Sequence, residues 1–201
     1  MPDAFITAAI PLLSSVTSDE TALRDATMLV EGGADMIYVT GMIPDRMKVL
    51  ARHHVPCVGH LGLVPYLSTW TGGFRAIGNS LDEAKALYET ALQLDDAGVV
   101  CAEMECVPEQ LAAHITKSVS YITYSMGSGN GCDGQYLFSC DLLGLNNAHY
   151  PRHSVRYADF YGAARSAFGR FKTDVDAGMY PAKNHVIHMN DELFEQFLRE
   201  I

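Results

Sequence analysis

The residues able to do chemistry in this sequence gather in a few short stretches. Cys101-Ala102-Glu103-Met104-Glu105 places two carboxylates two residues apart inside an apolar run. Such a run reads as a strand, and residues two apart on a strand point to the same face. Carboxylates held side by side away from water raise each other's proton affinity, which suits a base working near neutral pH or an oxygen pair for a cation. A second stretch, Val55-Pro56-Cys57-Val58, runs into Gly59-His60-Leu61-Gly62. The glycines let backbone approach a small molecule, and a histidine at position 60 supplies an acid–base group. Thr40 closes a third apolar run, and Gly127-Ser128-Gly129-Asn130-Gly131 is a turn whose amides suit an anion. His185 and His188 look like a ligand pair, although residues so placed near a terminus usually pack or face water.

Alternatives stay open for each. Glu105 could be paired with Arg75, Glu103 could face a helix dipole or an arginine, and His60 could be a hydrogen-bonded core residue. The Gly-rich turn could be a plain strand-to-helix connection.

The elements that must position these groups alternate. Strands are expected over Phe5–Pro11, Asp35–Gly41, Val55–Gly59, Val99–Val107, Tyr121–Ser125 and Gln135–Cys140. Helices are expected over Thr21–Glu31, Pro44–His54, Ser80–Ala97, Pro108–Ser118, Tyr157–Asp176 and Glu192–Ile201. Ser80 caps its helix, Glu83 takes the capping-box position and Gly98 closes it. Between Gly59 and Ser80 lies a long, Gly-rich, aromatic loop with the only tryptophan, Trp70. Loops of that length in a compact chain usually carry function. Alternating strands and helices predict a parallel sheet covered by helices. Without a dinucleotide fingerprint, about six such units favour a (β/α)8-type barrel, in one domain over residues 1–201 with C-terminal helices.

Composition removes several function classes. A net charge of −10 argues against a nucleic-acid partner. No apolar run approaches the roughly 18 residues that span a bilayer, so no membrane partner is expected. The first residues, MPDAFITAAIPLLSS, lack the basic start of a signal peptide. The five cysteines are scattered, odd in number and mostly in apolar runs, as reduced residues of a cytoplasmic protein are. No CxxC spacing marks a zinc site, and the sequence assigns no metal ligand.

Five motifs, in order, resemble one family. They are GHLGLVP (Gly59–Pro65), GGF with a following glycine (Gly72–Gly78), ECVPEQLA (Glu105–Ala112), GSGNGCDGQ (Gly127–Gln135) and DLLGL (Asp141–Leu145). YPAKNHVIH (Tyr180–His188) is similar to the same family's tail. The family is ketopantoate hydroxymethyltransferase, of the phosphoenolpyruvate mutase-like (β/α)8 barrels. The resemblance implies a cytoplasmic transferase of the pantothenate pathway that enolises a 2-oxo acid and uses magnesium and methylenetetrahydrofolate. It implies Glu105 as general base and His60 as its companion at the preceding strand end. Thr40, Glu103, Gly127 and Ser128 are the expected substrate-binding residues.

The departures are as informative. The resemblance implies two strand–helix units before Phe5, one carrying an Asp-Ser pair for the metal. A further carboxylate ligand aligns with Ala9, and the family's Lys and Glu align with Tyr38 and Thr40. These losses make magnesium at the family position doubtful. They leave two alternatives: a diverged, metal-independent enzyme of specialised metabolism, or a non-catalytic binding or assembly subunit. Unpaired sheet edges and the aromatic stripe Tyr157, Phe160, Tyr161, Phe168 and Phe171 predict a homo-oligomer.

Overall fold

The computed structural model describes residues 3–40, 43–147 and 149–201. Its centre is one parallel sheet of six strands: β1 (Thr7–Ile10), β2 (Met36–Val39), β3 (Cys57–Gly62), β4 (Cys101–Glu105), β5 (Ile122–Met126) and β6 (Gly134–Gln135). Each strand pairs with the next in chain order. A doubly wound sheet reverses its order partway, whereas successive units of a (β/α)8 barrel do not. The order therefore assigns six consecutive barrel-type units.

The helices between the strands are α1 (Leu12–Thr17), α2 (Asp19–Glu31), α3 (Pro44–Arg52), α4 (Ser68–Thr71), α5 (Leu81–Ala97) and α6 (Glu109–Ser118). Period-2 alternation gives the sheet two unlike faces. Ile37, Val39, Cys57, Leu61, Ala102 and Met104 turn outward and join Met47, Leu50, Ala91, Leu94 and Ile115 of the helices in one core. A methyl group on Gly59 would lie 2.8 Å from Leu94 Cδ1, so the glycine lets α5 seat closely on β3. The other face carries Met36, Val58 and Cys101, an apolar floor on which the polar residues stand.

The chain divides into two compact units, residues 1–138 with 151–154, and 139–150 with 155–201. The second holds α7 (Ser139–Leu142), α8 (Phe160–Asp176) and α9 (Asp191–Glu200). Its turn at Gly144 (φ 63°) aims the carbonyls of Leu142, Leu143 and Gly144 at the amides of Tyr157, Phe160 and Tyr161, capping the start of α8. The aromatic stripe of α8 stays exposed, so it builds no core in this chain.

Several expectations need correction. The third strand runs on through Gly59 and His60 to Gly62, because the glycine–histidine segment keeps pairing with β4. The sixth strand shrinks to Gly134–Gln135; Ser139 and Cys140 already belong to α7. The helix Leu12–Thr17 carries no strong periodic signal and was not anticipated. Glu83 does not return to the amide of its cap residue. Its carboxylate accepts the amides of Gly78 and Asn79 and pairs with Arg75, which therefore does not serve Glu105.

The hydrogen bond from Arg75, followed by that from the Gly78 amide, holds the Glu83 carboxyl down at about 2, against 4.5 ordinarily. A depressed carboxylate adds stability above its unfolded value, and that stability fades as pH falls through the folded value. Glu83→Gln should thus lower the melting temperature at pH 7. The gap to the parent protein should close between about pH 4.5 and 2 in a pH series of thermal melts.

Candidate active site

The site is assembled from the inward positions of adjacent strands. Register sets His60 of β3 beside Glu103 of β4, and Gly62 beside Glu105. Glu103 and Glu105 share the inner face as their two-residue spacing requires. His60, Glu103 and Glu105 are each more than nine-tenths buried. His60 Nε2 lies 3.1 Å from Glu105 Oε2, and its Nδ1 hydrogen-bonds the Tyr38 hydroxyl. Glu103 stands beside His60 in the register, and the Tyr38 hydroxyl favours its charged form. Glu105, His60 and Tyr38 thus form one hydrogen-bonded chain, with Glu103 next to it.

Burial sets the electrostatics. It pushes the Glu103 carboxyl up; the charge on Glu105 adds to this, while His60 and the Tyr38 hydroxyl oppose it. Burial also drives Tyr38 well above an ordinary phenol, with Glu103 the next cause. The thiols of Cys57 and Cys101 are pushed up to about 12 by burial, which keeps both as protonated core groups.

The chain backbone holds Glu105 tightly. Gly62 has φ 91°, and a methyl group there would stand 2.1 Å from the Glu105 carbonyl oxygen, which accepts the Leu63 amide at 2.8 Å. The next residue, Cys106, takes the left-handed conformation (φ 51°) and donates its amide to Met126. Ser128 is fully buried: its Oγ donates to the Met104 carbonyl (2.7 Å) and accepts the Val107 amide (2.9 Å). These bonds pin both ends of the segment that carries Glu105.

A cavity of about 630 Å³ opens onto this row. Met36, Val58 and Cys101 floor it; Tyr66, Tyr124, Tyr136 and Phe138 add aromatic surface. No lysine or arginine lines it among the described residues. Thr40, His60, Glu103 and Glu105 all line the cavity, although Thr40 Oγ1 already donates to the Ile10 carbonyl at 2.8 Å. Gly127 and Ser128 lie outside the lining; Gly127 backs onto the His153 ring. His185 accepts the Ala182 amide in the second unit. Tyr38 was missed as a site residue. Its place two residues before Thr40 on one strand was the signal that could have found it.

Acid–base residues at the carboxyl ends of sequentially ordered parallel strands, around a concave pocket, have the layout of a barrel-type candidate site. The comparisons make the family plain. Residues 1–183 match the family model described as ketopantoate hydroxymethyltransferase, and the chain belongs to that enzyme family. It is 37% identical over 186 residues to a 3-methyl-2-oxobutanoate hydroxymethyltransferase of Thermotoga sp. (strain RQ2), covering 92% of this chain and 69% of that protein. A protein of the same name from Syntrophomonas wolfei is 33% identical over 197 residues, covering 96% of this chain and 71% of the other. One from Pyrobaculum neutrophilum is 36% identical over 186 residues, covering 92% and 71%. Among solved structures, a deoxyribose phosphate aldolase from Aeropyrum pernix is similar at a TM-score of 0.41 and 12% identity, over 61% of this chain and 50% of that one.

The magnesium set that the resemblance implies does not fit these side chains. Ala9 has no side-chain oxygen, the Tyr38 hydroxyl is held by His60, and the Thr40 hydroxyl is turned to Ile10. Magnesium asks for near-octahedral oxygen ligands, usually including a carboxylate.

Gly62→Ala tests the backbone clamp. It should cost about 1–3 kcal/mol in urea unfolding, from the strained φ together with the collision at the Glu105 carbonyl. Gly72→Ala, at φ 81° with open space around it, should cost clearly less; equal costs would remove the clamp from the account.

Proposed function

We propose that this chain enolises a small 2-oxo acid and makes or breaks a carbon–carbon bond next to its carbonyl, as a hydroxymethyltransferase does. The observation that carries the reading is the buried Glu105–His60 contact at the strand ends, facing the cavity. Glu105 takes the proton from the carbon beside the keto group. The electron pair of that C–H bond becomes the new carbon–carbon double bond, and the keto oxygen gains the charge. A donor at that oxygen lowers the barrier by meeting charge where it develops. His60, 3.1 Å from Glu105, helps to polarise or position the substrate there. The enolate carbon then attacks the carbon of an aldehyde-level one-carbon unit; that unit's C=O π pair moves onto its oxygen, which takes the proton held by Glu105 to give a hydroxymethyl group, and the reverse steps cleave the bond.

Glu103 and Thr40 shape the floor around the bound acid, while Gly127 and Ser128 act one step back, on the segment that holds Glu105. The half-exposed rings of Tyr66, Tyr136 and Phe138 offer flat surface for the carrier that the resemblance implies, methylenetetrahydrofolate. The reading includes the cytoplasm as the place of reaction, in keeping with five free thiols, and a homo-oligomeric enzyme.

Glu105→Gln keeps the shape and removes the base. With a 2-oxo acid that the parent protein exchanges, the variant should lose at least about a hundredfold of the exchange of its α-proton with deuterated solvent, followed by NMR. It should remain folded. Exchange at the parental rate would mean that Glu105 is not the base.

A further inference from the structure

Three donors from two neighbouring strands converge in this cavity: the His60 imidazole and the carboxylates of Glu103 and Glu105. One ligand atom from each lies within 4.8 Å of the others, and the described residues contain no other group of this kind. Two features ask for a cation among them. First, Glu103 and Glu105 are both buried residues in a cavity without a lysine or arginine in its lining. Buried charges are ordinarily paired or bound to metal. Second, a ligating imidazole normally has its other nitrogen fixed by a hydrogen bond; the Tyr38 hydroxyl meets His60 Nδ1 while Nε2 faces Glu105 at 3.1 Å.

The geometry points to a divalent transition-metal site made by His60, Glu103 and Glu105, distinct from the magnesium position that the family resemblance implies. An imidazole with two carboxylates suits zinc, cobalt, manganese or iron better than magnesium. The cation supplies the positive charge that the lining lacks, so an anionic 2-oxo acid can enter as its ligand through carboxylate and keto oxygens. That use rests on the function proposed above; binding of the cation does not. Glu105 bound through one oxygen keeps the second as proton acceptor.

The test is titration of chelator-stripped, full-length protein with Co²⁺, followed by visible d–d absorption and by calorimetry, with no substrate present. One equivalent should bind, with Mg²⁺ at least about tenfold weaker. Glu103→Leu, Glu103→Gln and His60→Gln should each weaken Co²⁺ binding at least about a hundredfold, and Tyr38→Phe about tenfold. Circular dichroism and melting curves confirm folding; Glu103→Leu places an apolar side chain over an apolar floor and is the variant that should fold best. A folded parent protein that binds no Co²⁺, or a folded Glu103→Leu that binds it as tightly as the parent, overturns the site. If Co²⁺ binds as expected while no 2-oxo acid exchanges its α-proton, the proposed reaction fails and the metal site stands.

Discussion

Two carboxylates on one face of one strand, with no lysine or arginine in the cavity lining among the described residues, are the constraint that the rest of this structure answers. Removing an ion from water costs several kcal/mol even after the protein relaxes. Glu103 and Glu105 both meet that cost at neighbouring positions of β4. The parallel register meets it in turn by setting His60 beside Glu103, where its ring reaches Glu105 on one side and Tyr38 on the other. Tyr38 in turn favours the charged form of Glu103. The backbone devices around them follow from the same need. Gly62, left-handed Cys106 and the Ser128 hydroxyl leave Glu105 little freedom to swing toward solvent.

Much of this was readable from residue order, and for identifiable reasons. The period-2 spacing of Glu103 and Glu105 committed them to one face once Cys101–Glu105 was read as a strand. Strict alternation of strand and helix predicted a parallel sheet, and its sequential order agrees. What escaped depends on contacts between distant segments. The strand at His60 extends past its glycine because β4 supplies the hydrogen bonds, which no local propensity reports. The short β6 lies between Asp133, whose carboxylate accepts the Thr123 amide and hydroxyl, and Tyr136 and Phe138, which line the cavity. Ser128 looked like a ligand for an anion; its hydroxyl instead satisfies two backbone groups at the end of β4. A serine between glycines looks the same in either role until its neighbours are known.

Membership of the ketopantoate hydroxymethyltransferase family sharpens the contrast at the inner face. The positions that the resemblance sets against the family's charged residues carry Ala9, Tyr38 and Thr40, and none of them offers a charge. Glu103 stands one strand over from His60. Tyr38 and Glu103 suit each other physically. A lysine at position 38 would neutralise a carboxylate at 103, whereas a tyrosine brings no charge to it.

The two faces of the sheet differ in more than chemistry. Outward side chains interlock with helices in a dense core where a single methylene is felt. Inward side chains border open volume and touch one another through a handful of polar contacts. Substitutions on the inner face therefore meet little steric resistance, and those on the outer face meet a great deal. A scaffold built this way separates the property that keeps it folded from the property that selection acts on. It is free to explore new ligands by exchanging a few inward residues, while the surface that would have to change for a new fold stays locked.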